Sequence, residues 1–352
     1  MTTPVAIVGA GVMGTALAYP LADNGHEVRL VGAPLDGDII TSCRERRYHP
    51  TLKRELPAGV QPYFAEEISQ ALTGVEVIVS GVSSPGVHWV GRAIGPYVQP
   101  GQAIIGVTKG LEAAENGELL VMPDVLAAEL PAGVRGRLSQ AAIGGPCIAG
   151  ELAGRRPSGV IFGARDSHVA ERLAAIFRAP YYHVWTTTDL VGLEICAALK
   201  NVYAVGVGLA NGLLERAGGP DAAEAYMHNL AAAIFAQSCA ELDYLLRMVG
   251  GEPAFAYGLP GAGDLYVTCQ RGRNVRLGRL LGLGHSLAEA RDLMAGETVE
   301  SVFTVQAVGQ ALPRMAARGR VALENLPLLQ MLVNTIVHGR PIDVPLDSFK
   351  FG

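Results

Sequence analysis

The residues with the clearest chemical spacing lie at the start of the chain, in Val5-Ala6-Ile7-Val8-Gly9-Ala10-Gly11-Val12-Met13-Gly14. An apolar β-type run passes into GxGxxG and then into a helical pattern, where a βαβ unit would begin. Gly9 permits a sharp turn, Gly11 lets the backbone approach a pyrophosphate, and Gly14 lets helix and strand pack closely, while the helix start faces negative charge. A glycine-rich turn without a ligand is the competing interpretation, and the strand, the helix and the N-terminal placement weigh against it. In dinucleotide sites an acid about 20 residues further on usually holds the ribose of NAD. That position falls here at Val31-Gly32-Ala33, with neither acid nor arginine, so NAD and NADP both stay open. Asp36 and the Arg44, Arg46, Arg47 cluster lie nearby and read first as solvated loop charges.

A second candidate is Lys200. Between Leu193 and Leu214 the only ionised residues are Glu194 and Lys200, and Cys196, Ala197, Ala204 and Val207 put an apolar face around the lysine at helical spacing. Desolvation lowers an ammonium pKa and turns such a side chain into a proton donor near neutral pH. A lysine snorkelling to water, or one half of a buried ion pair, fits the composition equally well. Further on, Gly261-Ala262-Gly263-Asp264-Leu265 precedes Thr268-Cys269-Gln270-Arg271-Gly272-Arg273-Asn274. Two arginines around a glycine suit a phosphate, because guanidinium forks match its oxygens, and they suit an exposed basic loop as well. Thr108-Lys109-Gly110 and Ile143-Gly144-Gly145-Pro146 follow strand-like runs, at the carboxyl ends where α/β ligands bind.

The elements that must position these groups divide into two kinds. Val5–Val8, Val28–Val31, Val75–Val79 and Ala103–Val107 alternate with helical pattern, and Ser158–Ala164 and Tyr181–Thr186 add two strands, predicting a doubly wound, mostly parallel α/β sheet. After Thr188 the pattern becomes all-helical: Asp189–Leu214, Asp221–Val249 with Asp221 as N-cap, Ser286–Met294 starting at His285-Ser286, Thr298–Arg318 and Leu326–Val337. The expected domains are 1–188 and 189–340, with 341–352 as a loosely held tail.

Composition narrows the function class. At 352 residues, two cores are feasible on roughly 100–200 residues per domain. Lys and Arg number 28 against 33 Asp and Glu, a net charge of −5, so no basic field awaits nucleic acid or an anionic membrane. Hydrophobic residues at 49% with charged residues at 17% exclude disorder. The 44 glycines are well above the usual share of about 7% and imply many tight turns. Five cysteines without CxxC spacing argue against disulfides or a zinc cage, and the eight histidines show no ligand spacing, so no metal is expected. No signal peptide is evident at MTTPVAIVG, which points to the cytoplasm. Ile195–Leu214 is long and apolar, but Lys200 at its centre favours a buried helix over a membrane span.

With these residues in place the chain resembles the NAD(P)-dependent glycerol-3-phosphate dehydrogenase family over nearly its whole length. Five blocks carry the resemblance: GAGVMGTALA at the start, TKG at 108–110, GGPCIAGE at 144–151, ALKNVYAVGVGLANGL at 198–213, and GAGDLYVTCQRGRN at 261–274 with ETVES at 297–301. The resemblance implies an N-terminal Rossmann domain followed by a helical domain. It implies that Lys200 is the catalytic acid/base, with Lys109 and Asp264 beside the reacting atoms. Asn201, Asp264, Thr268, Asn274, Gly145, Cys147 and Gly272 would surround the substrate, and Arg273 would hold its phosphate. Gly9, Gly11, Val12, Met13, Gly14, Lys109, Ala149, Arg273 and Glu300 would meet the coenzyme. Cys147 and Gly272 stand where the family commonly has serine, and Val12-Met13 replace a polar-aromatic pair. The implied reaction is hydride transfer from NAD(P)H to dihydroxyacetone phosphate, a triose phosphate of glycerolipid metabolism, with Lys200 protonating the alkoxide. The alternatives are a reductase of another phosphorylated or acidic ketone, and a non-catalytic dinucleotide sensor. A homodimer is the default assembly.

Overall fold

The structure, a computed structural model, describes residues 2–295 and 297–351. It divides into two compact units, Met1–Lys109 with Met122–Leu193, and Gly110–Val121 with Glu194–Gly352.

The first unit is built on β1 (Pro4–Val8), β2 (Glu27–Val31), β3 (Val60–Tyr63), β4 (Val77–Ser80), β5 (Ala103–Gly106), β6 (Ser139–Gly144), β7 (Ser158–Ala164) and β8 (Tyr182–Thr187). They form one sheet in the order β8-β7-β6-β5-β4-β1-β2-β3. Every neighbouring pair is parallel except β6 with β7. Val5, Ala6, Ile7 and Val8 of the central β1 are all 0% exposed, as a strand covered on both faces requires. Val8 lies opposite Val31 on β2 and Ser80 on β4. Because β1 to β6 run the same way, the loops that follow them emerge at one edge. The first is Gly9-Ala10-Gly11, leading into α1 (Val12–Asp23), and the second leads from β2 into α2 (Gly37–Arg46). A short antiparallel ribbon, Tyr48–His49 with Arg54–Glu55, follows α2.

Helices dominate the second unit. They are α3 (Leu190–Arg216), which begins in the first unit, α4 (His228–Val249), α5 (Asp264–Gln270), α6 (Arg273–Leu283), α7 (Leu287–Leu293), α8 (Glu300–Ala317) and α9 (Pro327–His338). α3 is the one described helix long and apolar enough to cross a membrane, and 89% of its most apolar stretch is buried inside the protein. It packs against α6 through glycines on both helices. A Cβ on Gly208 would stand 2.4 Å from Val275 O and one on Gly212 2.1 Å from Arg279 O, while Gly278 and Gly282 approach Val205 O and Leu209 O to 2.0 and 2.6 Å in the same sense. Both helices carry glycine at i and i+4, the spacing that lets two backbones touch.

The core of this unit also holds a carboxylate. Glu241 on α4 is 0% exposed and accepts four hydrogen bonds, from Gln237 Nε2 (2.9 Å), Tyr203 Oη (3.1 Å), Leu328 N (2.7 Å) and Leu329 N (2.9 Å). The last two are first-turn amides of α9, which lack acceptors inside their own helix. Burial pushes the Glu241 carboxyl up to about 7, against the pull of all four donors.

Several sequence expectations change. Asp221 does not cap α4: its carboxylate accepts from Ala223 N and Ala225 N in a local turn, and the helix starts at His228. Ser286 does cap α7, in a reciprocal box with Glu289. β3 and both short ribbons are additional strands. The second ribbon, Leu111–Ala113 with Leu119–Val121, packs against α8, where Arg314 donates to Glu115 O and Arg320 pairs with Glu118. In the C-terminal segment, Lys350 N–H donates to Gln237 Oε1 at 2.8 Å.

Candidate active site

The second unit brings Lys200 and Asp264 together, while Lys109, the third residue expected beside the reacting atoms, belongs to the first unit. Lys200 lies in the middle of α3 and is 5% exposed. Its Nζ donates to Asp264 Oδ1 at 2.7 Å and to Thr268 Oγ1 at 2.6 Å. Asp264 opens α5 and Thr268 lies one turn on, where its hydroxyl donates to Asp264 O at 2.7 Å and so keeps its lone pairs toward the lysine. Of the options left open by composition, the snorkelling lysine is excluded and the buried ion pair is present. The carboxylate of that pair stands 2.7 Å from Nζ, with both side chains almost wholly buried.

Asn201, next along α3 and 4% exposed, accepts from Asn274 Nδ2 at 2.9 Å. Asn274 Oδ1 is buried and takes no hydrogen bond among the described residues. A buried amide oxygen left in this way is suited to a hydroxyl donor on a ligand or a water. The α3–α6 glycine contact explains the pairing, since Asn274 sits one turn before Gly278 and is carried to Asn201 by the same backbone approach.

Arg273 is the first residue of α6 and is exposed. Further along the same helix, Arg276 bonds Glu297 and Leu293 O, and Arg279 bonds Glu215. Arg273 makes no hydrogen bond or ion pair among the described residues, and no acid stands in the first turn of α6. A helix start with an uncommitted guanidinium suits an anion. Gly272 precedes it at φ 134° and ψ 175°, a conformation open in practice to glycine alone. Cys269 beside Thr268 has its thiol pushed up to about 12 by burial and is no thiolate nucleophile. Glu300 begins α8 in the same unit.

The remaining candidates lie in the first unit, at the carboxyl edge of its sheet. Gly9 has φ 108°, and a Cβ there would stand 2.8 Å from Gly81 C and Val82 Cγ1; one at Gly14 would stand 2.6 Å from Gly9 O. Strand end, loop and helix therefore meet backbone to backbone. Val12 and Met13 lie in the first turn of α1, which contains no acidic residue, so its amides and positive pole are unopposed. These residues fit the pyrophosphate of a dinucleotide. Lys109, half-buried, follows β5, next to Thr108, whose hydroxyl donates to Val82 O at 2.6 Å. Gly145 follows β6 at φ 115°, and Cys147 and Ala149 after it pack partly against the core of the unit. Two of the three arginines near the second strand, Arg44 and Arg47, are engaged elsewhere. Arg44 stacks over Phe64 and pairs with Glu67, and Arg47 donates to Pro57 O.

Sequence spacing alone missed the Glu241 cluster and also His49, a fully buried histidine that bonds the glycine loop. A histidine inside Arg-Arg-Tyr-His-Pro reads as part of a basic loop.

Comparison with known proteins gives consistent matches. The model of the NAD-dependent glycerol-3-phosphate dehydrogenase N-terminus matches residues 4–170, and that of the C-terminus residues 189–346. An NADP(+)-dependent glycerol-3-phosphate dehydrogenase from Archaeoglobus fulgidus is 38% identical over 82% of each chain. A glycerol-3-phosphate dehydrogenase [NAD(P)+] from Shouchella clausii is 34% identical over 95% of this chain and 92% of its own. Among solved structures, the glycerol-3-phosphate dehydrogenase of Coxiella burnetii superposes with a TM-score of 0.79 at 26% identity, covering 99% of this chain and 98% of its own.

Proposed function

The chain belongs to the NAD-dependent glycerol-3-phosphate dehydrogenase family, and from that membership we propose that it interconverts dihydroxyacetone phosphate and sn-glycerol 3-phosphate with NADH or NADPH. The observation that carries the reading is the buried Lys200 ammonium held by Asp264 and Thr268 beside the Asn201–Asn274 pair.

When bound, the nicotinamide coenzyme supplies the hydride to the carbonyl carbon. Gly9, Gly11, Val12, Met13 and Gly14 would hold its pyrophosphate, with Lys109 and Ala149 of the same unit as further contacts; the family resemblance adds Arg273 and Glu300 of the second unit. Lys200 points one Nζ proton at the ketone oxygen and gives it up as the alkoxide forms; the neutral amine regains a proton from water. Asp264 and Thr268 anchor the Lys200 ammonium, which limits the directions its protons take. In the second unit Asn201 and Asn274 would receive the substrate hydroxyl, and Arg273, after Gly272, would grip the phosphate at the start of α6; Gly145 and Cys147 of the first unit keep their substrate role as an expectation from the family resemblance. Five cysteines, none in a disulfide among the described residues, suit a reducing cytoplasm, and a homodimer is the default assembly.

Purified chain is mixed with dihydroxyacetone phosphate and, separately, NADH and NADPH, and the reduced-nicotinamide absorbance is followed. Turnover with at least one coenzyme is expected, and Arg273→Ala should erase most of the preference for dihydroxyacetone phosphate over dihydroxyacetone. Coenzyme binding with no turnover of any ketone phosphate would mark a sensor and end the proposal.

A further inference from the structure

The second residue of the glycine loop, Ala10, is 0% exposed, so both polar groups of its backbone need partners. Neither is met by the sheet. The Ala10 N–H donates to Asp36 Oδ2 at 2.8 Å, and the Ala10 carbonyl lies 2.8 Å from His49 Nε2. Those side chains come from 26 and 39 residues downstream.

The chemistry of each partner is settled by its other contacts. Leu52 N–H donates to His49 Nδ1 at 3.0 Å, so Nδ1 carries no hydrogen and Nε2–H is the donor to Ala10. His49 is 0% exposed and has no role at the surface. Asp36 occupies the N-cap position of α2, where its type ordinarily caps the helix, yet it makes no capping bond. Its Oδ2 accepts instead from Ala10 N and from Ala33 N, both at 2.8 Å, joining the loop after β1 to the loop after β2. Gly9 N–H donating to Val31 O at 2.8 Å adds a third tie at the same place.

We propose that Asp36 and His49 are positioning residues for the coenzyme: they hold the Ala10 peptide from its two sides and keep the glycine loop in its binding shape before the dinucleotide arrives. The inference rests on the coenzyme site above and adds to it two residues outside the GxGxxG motif. A loop set in advance loses less freedom on binding, and that saving appears as affinity.

The test measures binding of NADH and NADPH to the full chain by fluorescence titration, without substrate. His49→Asn keeps an acceptor for Leu52 N but cannot reach Ala10, whereas His49→Gln extends an N–H toward Ala10. His49→Asn is expected to weaken both coenzymes roughly tenfold, as for one lost hydrogen bond, with KM for dihydroxyacetone phosphate and kcat at saturating coenzyme nearly unchanged. His49→Gln should restore most of the affinity. Asp36→Ala, a half-buried change that spares the core, should weaken NADH and NADPH by similar factors. Unchanged affinity in His49→Asn and Asp36→Ala overturns the proposal. So does His49→Gln binding as weakly as His49→Asn, or an Asp36→Ala effect confined to one coenzyme, which would mean direct ribose contact. Because binding is read without the ketone, a wild-type chain that fails to turn over dihydroxyacetone phosphate would sink the assigned reaction while leaving this comparison legible.

Discussion

Replacing Gly278 by alanine tests the contact that assembles the site. A Cβ there would stand 2.0 Å from Val205 O and 3.0 Å from Gly208 Cα, both backbone atoms that cannot rotate away. Ordinary contact begins near 3.4 Å, so the two backbones must part by more than about 1 Å. Alanine gains up to about 1 kcal/mol of helix propensity over glycine, while a clash with rigid backbone belongs at the upper end of the about 1–3 kcal/mol that overpacking costs, so a net loss of about 2 kcal/mol is expected. At roughly 2–4 °C per kcal/mol for a unit of this size, the melting temperature should fall by several degrees. Activity should suffer more, because Asn274 and Arg273 ride on the displaced helix and a misplacement near 1 Å costs on the order of 10²-fold. Gly206→Ala is the control. Its Cβ would meet only side-chain carbons, from 3.3 Å outward, and it should melt within about 1 kcal/mol of the parent. Circular dichroism melts and kcat/KM for dihydroxyacetone phosphate decide the matter. A Gly278→Ala chain with unchanged melting and unchanged kcat/KM would show that the two backbones do not touch.

Three other changes address separate parts of the molecule. Lys200→Ala should lower kcat by about 10²–10⁴-fold with NADH affinity retained, and near-normal turnover would remove Lys200 as the acid/base. Glu241, raised from 4.5 to about 7 in the folded state, binds a proton more readily there than in the unfolded chain. Its contribution to stability is therefore complete below pH 4.5 and is lost as pH rises through about 7. Between pH 5 and 8 the parent should lose up to about 2–3 kcal/mol that Glu241→Gln does not, and parallel urea-denaturation series for the two chains would refute this. Ser286→Ala should cost about 1 kcal/mol by unmaking the α7 cap while kcat stays unchanged; an unaltered melting curve would argue that the cap contributes nothing.

What could be read from the chain was local. The runs Val5–Val8 and Val28–Val31 are β-branched and bounded by glycine or polar residues, and both strands formed where expected. β3, with Pro62 in a four-residue run, and the two short ribbons, whose strands are two or three residues long, carry too little pattern to announce them. Asp221 had the right residue type for a cap, but it sits seven residues before α4 and turns its carboxylate onto Ala223 and Ala225 instead. In the site, Lys200 stood out because charge is rare on an apolar face. Its partner Asp264 lies 64 residues away and the Asn201–Asn274 pair spans 73, separations that no periodicity encodes. Family resemblance named those residues; the glycines that bring them together became intelligible only with coordinates.

The ribbon 110–121 carries a consequence for the continuity of the gene. The chain leaves its first unit after Lys109, spends twelve residues folded against Arg314 and Arg320, returns at Met122, and departs for good inside α3. No single cut can separate the halves cleanly, because any contiguous N-terminal fragment long enough to hold the whole first unit retains a piece whose packing partners lie beyond position 300. Splitting this protein into two expressible modules, or exchanging one half with a relative, requires the hairpin to be transplanted together with the helices it leans on.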